Sequence, residues 1–579
     1  MRILRNLRIA AAASLRNLGD DPARFVLLVS QRFPKSVGRR LAALVGRFGR
    51  VGKVYSAWMR GQREDAAAQL RALPPLRTGL SRHWAAALAV AGDVPLEEVP
   101  GLKRVSAVTR ARAARKRGAL SEAIDVLRGQ RGGGAARLRR VLESERELLQ
   151  SGIWLGAGAA RSTVSHAGGP LRVLHVLTNS LPHTQSGYTL RSHSILTEQV
   201  RGGIVVDAVT RVGYPVTVGK FAARDCDVVD GIAYHRVVPP RFPTTPRERL
   251  EAQVAATSRL CGAQRPSLLH TTTPYTNALV TQAVAAGCGL PWVYEVRGMP
   301  EKTWAAARTT DSARDEALSS ELYELWRQRE ADVAAAADAV VTLSATMRDD
   351  LVARGVDRER IVIVPNAIDE RLLTVDSVPA EVRTELGLPA DGFWVGAVSS
   401  LVDYEGHDLV VDAVTELRER GLDVRLLLVG DGVARPELLR RAEPLGEFAV
   451  LPGRVDAALA KRYVEALDAV IVARRDRDVT RFVMPLKPIE AMAVGRPVVL
   501  SQLPVLEELN AAGECALAVE PESAAAIAAA VERLHNNAEL RTGLVARGRK
   551  LAATRSWAAA VDTYLQTYKS LEVSDVTKL

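Results

Sequence analysis

The chain has 579 residues, enough for three or four domains of ordinary size. Its net charge of +12 is uneven, because residues 1–150 hold 30 Lys and Arg against 12 Asp and Glu, whereas the remainder holds 48 against 54. No run of about 18 apolar residues occurs, which excludes a membrane-spanning helix. The four cysteines have neither C-x-x-C nor metal-ligand spacing, which excludes structural zinc and predicts free thiols in a reducing compartment.

Residues 1–150 are predicted to form a basic, all-helical N-terminal region. Apolar residues at helical spacing near the start are Leu4, Leu7, Ala11, Leu15 and Leu18. A basic amphipathic helix of this kind lies on an anionic membrane or docks on its own protein, and the sequence leaves both readings open, along with a merely solvated arginine-rich surface. Nucleic-acid binding is unlikely, because neither interleaved aromatic residues nor a recognisable module is present.

Two stretches of this region, 57–70 and 117–127, each place a glycine before an Ala- and Leu-rich segment and indicate pairs of helices joined by a turn. The first residues have arginines throughout and no cleavage site, so a secretory signal is not expected. We therefore expect a cytoplasmic protein, with peripheral contact at the inner face of the plasma membrane as an open alternative.

After a linker at 151–170, short apolar strands alternate with long helical stretches. The predicted strands are 171–177, 268–270, 292–296, 339–343, 361–364, 394–398, 424–429, 449–451, 469–472, 498–500 and 516–519. This pattern predicts an α/β protein with parallel sheets covered on both faces. We expect two doubly wound Rossmann-like domains facing a cleft, at 171–378 and 379–550, with a C-terminal helix at 551–579 packing back on the first.

The most informative stretch, residues 480–500, is predicted to contain a helix whose start holds an anion. Pro488 suits the first helical position, Gly495 the end, and Pro497 blocks continuation before a buried strand. Free N–H groups, the helix dipole and Lys487 favour a phosphate there, while Glu490 can accept hydrogen bonds from sugar hydroxyls. A nucleotide carries both groups.

Loops that follow the predicted strands supply further candidates, because ligands of open parallel sheets bind beyond the carboxyl ends of the strands. The candidates in these loops are Ser186, Gly187, Tyr188, Arg191, Arg297, Ser344, Ser399, Ser400, Gly430, Gly432, Arg454 and Arg474. Competing motifs fail on spacing. Residues 430–435 complete only half of a dinucleotide fingerprint, residues 213–221 lack the Ser or Thr of a P-loop, and no hydrolase elbow occurs.

The chain resembles a family 4 glycosyltransferase of the two-Rossmann-domain (GT-B) type over roughly residues 170–570. The resemblance rests on the segments 173–177, 186–188, 294–298, 364–369, 404–406, 429–432 and 485–493. Within the family the chain is similar to the branch associated with bacterial exopolysaccharide assembly, including exosortase-linked transferases.

The resemblance implies retaining transfer of a sugar from a UDP- or GDP-linked donor to a lipid-linked or polysaccharide acceptor, with neither a bound metal nor another cofactor. The implied catalytic residues are Arg297, Lys487 and Glu490. The implied donor-binding residues are Gly187, Ser399, Ser400, Arg454, Arg474, Pro485, Leu486, Lys487 and Glu490. The implied acceptor-binding residues are Ser186, Tyr188, Arg191, Arg297 and Ser344.

The chain departs from the family pattern at three places. Phe482 occupies the position of the first of two paired glutamates, and Arg297 stands where many relatives have histidine. The diphosphate-binding Arg and Lys of the family are replaced near Ser400 and by Glu405. We expect Lys487, together with Arg454 and Arg474, to supply the missing charge. The alternative is a non-catalytic protein that binds nucleotide sugars or assists assembly.

Overall fold

The computed structural model describes residues 2–20, 35–76, 78–157 and 169–576. The predicted linker at 151–170 therefore falls largely outside the described residues. By compactness the chain forms two units, the first made of Met1–Thr184, Val205–Tyr294 and Pro300–Asp338, the second of Gln185–Ile204, Glu295–Met299 and Ala339–Leu579. These units are not the predicted domains, whose boundaries stay predictions.

The N-terminal part of the first unit is helical throughout its described residues, as predicted. Its helices are α1 (Arg2–Asp20), α2 (Lys35–Val45), α3 (Gly49–Met59), α4 (Arg63–Arg71), α5 (Gly79–Ala91), α6 (Ala107–Arg117), α7 (Leu120–Asp125) and α8 (Gly133–Leu149). Tyr55, Trp58, Leu70 and Leu88 belong to its own apolar core. Both predicted glycine turns exist, with Gly61 at φ +84° and Gly118 at φ +95°.

The helical region packs on the rest of the first unit through specific polar contacts. The backbone N–H and hydroxyl of Ser121 both donate to Glu321 at 2.6 Å. Arg247 pairs with Glu147 at 2.6 Å. A Cβ at Gly118 would lie 2.2 Å from the Ser320 hydroxyl oxygen, so this glycine is required by packing as well as by its backbone conformation.

The first sheet has eight strands in the order β3-β4-β2-β1-β5-β6-β7-β8. These strands are β1 (Arg172–Leu177), β2 (Val205–Thr210), β3 (Cys226–Val229), β4 (Ile232–Arg236), β5 (Leu268–Thr272), β6 (Trp292–Val296), β7 (Ala339–Thr342) and β8 (Ile361–Ile363). The associated helices are α9 (Gly187–Arg201), α10 (Pro246–Gln264), α11 (Tyr275–Cys288), α12 (Pro300–Ala306), α13 (Asp311–Leu318), α14 (Glu321–Ala336) and α15 (Ala345–Ala353).

Three strands of this sheet, β2, β3 and β4, were not predicted from the sequence. Strands β3 and β4 form an antiparallel hairpin, so the expectation of a purely parallel sheet is wrong at this edge. Asp230 and Gly231 turn the hairpin with φ of +49° and +81°, and an Asp-Gly pair between alternating residues is the signal that could have revealed it.

The second sheet has six parallel strands in the order β11-β10-β9-β12-β13-β14. Its strands are β9 (Phe393–Val398), β10 (Val424–Val429), β11 (Ala449–Gly453), β12 (Ala469–Val472), β13 (Val498–Ser501) and β14 (Ala516–Val519). Its helices, with those flanking it, are α16 (Pro379–Glu385), α17 (His407–Glu419), α18 (Arg435–Arg441), α19 (Ala457–Glu465), α20 (Asp478–Phe482), α21 (Lys487–Ala493), α22 (Pro504–Ala511), α23 (Ala524–Asn536), α24 (Ala538–Ala553) and α25 (Trp557–Val576).

Every predicted strand is present within a residue or two, and the predicted fold class is confirmed. The structure has two Rossmann-like sheets preceded by an all-helical region. The four cysteines are free thiols, as expected. Among the described residues, no helix combines the length and apolarity needed to cross a bilayer.

Candidate functional site

The topology of the second sheet directs attention to the ends of β9 and β12. The strand order reverses between these two neighbours, and such a switch point opens a crevice beyond the carboxyl ends of the strands. Ser399 directly follows β9, and Arg474 follows β12 after one residue. Two of the predicted donor-binding residues thus lie where the fold favours a ligand.

Glu405 organises the charges at this crevice. It ends a short 3-10 turn, Asp403–Glu405, and its side chain is 9% exposed. One carboxylate oxygen pairs with the Lys487 ammonium, and the other accepts from Arg474 Nη2 at 3.4 Å. Arg474 also donates from Nη1 to the carbonyl oxygen of Val483 at 2.6 Å. We call Glu405, Arg474 and Lys487 the 405 cluster.

The 405 cluster carries two positive charges and one negative charge at neutral pH. Burial alone would raise the pKa of Glu405, but the charges of Lys487 and Arg474 outweigh it and lower that pKa to about 2. Burial lowers the pKa of Lys487, and Glu405 counteracts this effect. Glu405, one of the departures from the family pattern, and Lys487, which was expected to supply the missing charge, are therefore direct partners in space. No local sequence signal could show this, because they lie 82 residues apart.

His407 lies next to the 405 cluster at the start of α17. Burial, followed by the charge of Lys487, lowers the pKa of His407 to about 4, so its ring is neutral at pH 7. Its Nε2 lies 3.2 Å from the Ser399 hydroxyl, and its buried Nδ1 has no hydrogen-bond partner in the structure. This histidine was not among the residues predicted from the sequence. Its Nδ1 is a buried polar atom at the crevice.

Helix α21 begins at Lys487, one residue before the predicted start, with Leu486 at its N-cap. Glu490, in its first turn, is half-buried. Burial raises the pKa of Glu490, against the charges of Lys461 and Lys487. The sequence prediction of a short helix with a lysine and a glutamate at its start is confirmed as structure, and their donor-binding roles stay predictions.

Within the second unit, the start of α9 lies beside the loops of the second sheet. Ser186 caps α9 by accepting from the Thr189 N–H, with the reciprocal bond also made. A Cβ added at Gly187 would meet only Leu486 Cδ1, at 3.8 Å. Arg454 donates to the carbonyl oxygen of Gln185 at 3.1 Å. The structure therefore brings Gly187, Arg454 and Leu486 together. All three are predicted to bind the donor, and this role stays a prediction.

Arg191 and Arg297 lie in a buried network around Glu295. Arg191 bonds Glu295 at 2.9 Å, and Arg297 bonds the other carboxylate oxygen at 2.5 Å. The Tyr564 hydroxyl of α25 donates to Glu295 at 2.7 Å. Arg191 donates further to the carbonyl oxygens of residues 364 and 365 and to the Asn366 side chain. These contacts hold α9, β6 and α25 together.

The predicted acceptor roles of these arginines stay predictions, and the geometry assigns both of them structural partners. Arg191 is 3% exposed, and its guanidinium N–H groups donate to protein atoms. Arg297 is 4% exposed, and its Nη1 donates to the Ser192 hydroxyl at 2.6 Å. The Arg297 Nε, by contrast, is buried without a hydrogen-bond partner. Tyr564, about 270 residues from Glu295, could not have been found from local sequence.

Two other predicted acceptor residues differ in exposure. Tyr188 is 52% exposed near the start of α9, close to Gly298. Ser344 is 1% exposed and caps α15 by accepting from the Met347 N–H at 3.1 Å. Glu508, which the sequence analysis missed, accepts two further N–H groups of α15 at 2.8 and 2.9 Å.

The small residues after β10 have a different explanation from the expected one. A Cβ at Gly430 would lie 1.7 Å from the carbonyl oxygen of Ser399, and one at Gly432 would lie 2.1 Å from that of Leu401. These glycines therefore allow two strand-end loops to pack on each other, whereas the sequence suggested close approach to a ligand. Ser400 is exposed on the packed loop. Across the described residues, no three His, Cys, Asp or Glu side chains converge as metal ligands.

Comparison with protein families matches both halves of the α/β region. Residues 186–367 match the family described as "Glycosyl transferase 4-like domain". Residues 392–537 match the family described as "Glycosyl transferases group 1". The second match contains the 405 cluster and helix α21, and the first contains the start of α9 together with Arg191, Glu295 and Arg297.

Curated relatives carry glycosyltransferase names. A D-inositol 3-phosphate glycosyltransferase of Segniliparus rotundus is 27% identical over 64% of this chain and 81% of its own length. A D-inositol 3-phosphate glycosyltransferase 1 of Catenulispora acidiphila is 29% identical, over 42% of this chain and 59% of the relative. An alpha-D-kanosaminyltransferase of Streptomyces kanamyceticus is 26% identical, over 42% and 63% respectively. The chain thus spans less than two thirds of the last two.

Solved structures share the fold. Sucrose-phosphate synthase of Thermosynechococcus elongatus aligns with a TM-score of 0.57 and 20% identity over 70% of this chain and all of that one. The Anabaena protein HepE, solved with UDP, aligns with a TM-score of 0.51 and 17% identity over 69% of this chain and all of that one. The two domain matches and the curated relatives identify the chain as a glycosyltransferase of the family 4 type, and the solved structures share its GT-B fold.

Proposed function

We propose that the protein is a retaining glycosyltransferase that moves a sugar from a UDP- or GDP-linked donor to a lipid-linked or polysaccharide acceptor at the cytoplasmic face of the membrane. The 405 cluster is the observation that carries this proposal. It concentrates Lys487 and Arg474 at the switch point of the second sheet, where a nucleotide sugar places its diphosphate in an enzyme of this type.

The chemistry needs stabilisation of a leaving group more than a strong base. Transfer breaks the bond between the anomeric carbon and the diphosphate oxygen and forms a bond to the acceptor oxygen on the same face, while the hydroxyl proton of the acceptor passes to the departing diphosphate. Negative charge builds up on the departing diphosphate, and preorganised cations stabilise it best in a site shielded from water. In this proposal Lys487 and Arg474 supply those cations, and Glu490 accepts hydrogen bonds from the ribose.

The proposal includes transfer without a metal or another cofactor. Cationic side chains that neutralise a diphosphate can take the role that a divalent ion has in other transferases. A transfer rate that is unchanged by a chelator supports this part of the proposal. A rate that falls with chelation and returns with magnesium or manganese contradicts it.

The acceptor and the membrane face rest on the basic N-terminal region and on similarity to exopolysaccharide-associated transferases. The relatives named for inositol phosphate add that acceptor class to the set worth testing. The nucleotide is identified first, by a thermal-shift screen with UDP, GDP and their sugar conjugates, because a ligand that binds the native state raises its melting temperature.

Transfer is then tested with the donor identified by the screen. Polyprenyl-linked sugar, oligosaccharide and inositol phosphate serve as acceptors, and NMR gives the anomeric configuration of the product. Donor binding with neither transfer nor donor hydrolysis on any acceptor favours the alternative, a non-catalytic nucleotide-sugar-binding or assembly protein. An inverted product contradicts the retaining part alone.

A further inference from the structure

Helix α1 packs on its own protein through a polar face. Asn6 is fully buried, and its side-chain amide donates to the carbonyl oxygens of Phe221 at 3.0 Å and Ala223 at 3.1 Å. Ile9 is buried beside it, and Arg5 pairs with Asp225. The helix is therefore attached by specific hydrogen bonds, one ion pair and a small apolar cluster of Ile9 with Val216 and Val238.

The opposite face of α1 leaves aliphatic side chains in solvent. Ile3, Leu4 and Leu7 are 52%, 57% and 46% exposed. The sequence left two readings open for this helix, docking on its own protein or lying on a membrane, and Leu4 and Leu7 belong to the face at issue. Docking on the protein uses Asn6 and Ile9. The face with Leu4 and Leu7 is therefore exposed with respect to the described part of the chain and can make another contact. The side chains of Leu15 and Leu18 lie outside the described residues.

A second exposed apolar site lies at the corner between α2 and α3. Leu44 is 50% exposed, and Phe48, at the N-cap of α3, is 73% exposed. The exposed cations around them in sequence are Arg40, Arg47, Arg50 and Lys53. Residues 35–63 contain eight Lys and Arg residues and no Asp or Glu. Large, mostly exposed apolar side chains among so many positive charges mark an interaction surface.

The pattern fits a bilayer better than a protein or a nucleic acid. Isolated aliphatic and aromatic side chains among arginines can enter the headgroup region singly and need no matching groove. Each Lys or Arg near an anionic bilayer contributes about 1 kcal/mol of attraction. Phe48 is the one aromatic side chain among these exposed apolar residues, so no platform for stacked bases is present.

We propose that two exposed apolar sites of the first unit, the outward face of α1 (Ile3, Leu4, Leu7) and the α2–α3 corner (Leu44, Phe48), bind anionic phospholipid bilayers and together make up the proposed surface. The apolar side chains enter the interface, while arginines of residues 40–53 contact lipid phosphates. The inference deepens the membrane part of the proposed function and is independent of the donor site.

The test is co-sedimentation of the full chain with vesicles of phosphatidylcholine containing about one third phosphatidylglycerol, compared with pure phosphatidylcholine. We expect binding to the anionic vesicles only, weakened by salt. Phe48→Glu, and Leu4→Glu with Leu7→Glu, should each lower this binding by about tenfold or more. Leu80→Glu is the matched control, because Leu80 is 70% exposed on α5 and should leave binding unchanged.

The role of charge is tested with a second matched pair. Arg47→Glu with Arg50→Glu should reduce binding strongly, whereas Arg128→Glu with Arg131→Glu makes the same change in net charge at other exposed positions and should not. Lys487→Met should bind vesicles like the wild type even if it binds no nucleotide, which separates this inference from the donor site. All of the substituted side chains on the proposed surface are exposed, so the substitutions should not disturb folding. Unchanged nucleotide binding and an unchanged melting temperature check this.

Three outcomes would overturn the inference. Equal binding to neutral and anionic vesicles, or no binding to either, would show that anionic lipid is not the ligand of this surface. If Leu80→Glu lowers vesicle binding as much as Phe48→Glu does, binding is not specific to the proposed surface. Dissociation of a wild-type oligomer by Leu4→Glu with Leu7→Glu, or retention on duplex DNA with no vesicle binding, assigns the surface to a second copy or to nucleic acid instead.

Discussion

Replacing Lys487 by methionine should separate its structural role from its role in donor binding. Methionine keeps the length of the side chain and removes the charge, leaving Glu405 with only Arg474 at 3.4 Å. The pKa of Glu405, lowered from 4.5 to about 2, corresponds to roughly 3 kcal/mol in favour of its charged form. Breaking a buried pair on one side costs about 3–5 kcal/mol, and partial exposure of Lys487 reduces this to about 2–3 kcal/mol.

The sign of the pH effect follows from the direction of that shift. A carboxyl whose pKa is lower in the folded protein stabilises it at pH values above its unfolded pKa, and this stabilisation is lost as the pH falls toward about 2. At pH 7 the full difference between wild type and Lys487→Met should appear in denaturant unfolding. The difference should shrink at pH values below about 4.

The double variant Lys487→Met with Glu405→Gln is the decisive comparison. It leaves no buried unpaired charge, so it should recover most of the lost stability. It still lacks the charged hydrogen bond to the diphosphate, about 1.5–3 kcal/mol, so the Kd for the nucleoside diphosphate should rise roughly 10- to 150-fold by calorimetry. Arg440→Met with Glu437→Gln removes an exposed ion pair as control and should cost less than about 1 kcal/mol. A double variant that binds nucleotide like the wild type would refute the donor role of Lys487.

Three further predictions concern single residues. Gly187→Ala adds a Cβ that meets only Leu486, so the melting temperature should stay unchanged while donor affinity falls; unchanged affinity contradicts its predicted approach to the phosphates. Glu405→Gln should shift the alkaline loss of nucleotide binding to lower pH than in the wild type, because burial lowers the pKa of Lys487 and Glu405 counteracts this; an unshifted pH profile argues against it. Burial raises the pKa of Glu330 to about 7, so wild-type stability should fall between about pH 5 and 8, and urea unfolding of Glu330→Gln should lack that decline.

Local signals were enough for the second sheet and its helix α21. Buried parallel strands appear as short apolar runs, and proline and glycine mark the limits of the helix, so both could be predicted from neighbours in sequence. The edge strand β3 and its neighbour β4 are only partly buried, and the apolar run that would have revealed them is missing.

The family type and the positions of the candidate residues could likewise be inferred from short motifs. Their partners could not. Glu405 was interpreted as a lost cation, and no local signal in the sequence showed its pairing with Lys487. Arg191 was expected at the acceptor, which stays a prediction, and its contacts with Glu295 and Tyr564 in a buried network could not be predicted from the sequence.

The sequence by itself determined the fold class, eleven of the fourteen described strands and the excess of positive charge at the N-terminus, because hydrophobic periodicity, turn residues and composition act over a few residues. Only the tertiary structure decided which charges pair, which glycines pack backbone on backbone and which face of α1 is buried. Those outcomes depend on contacts between residues tens to hundreds of positions apart, and burial sets the energy of each contact.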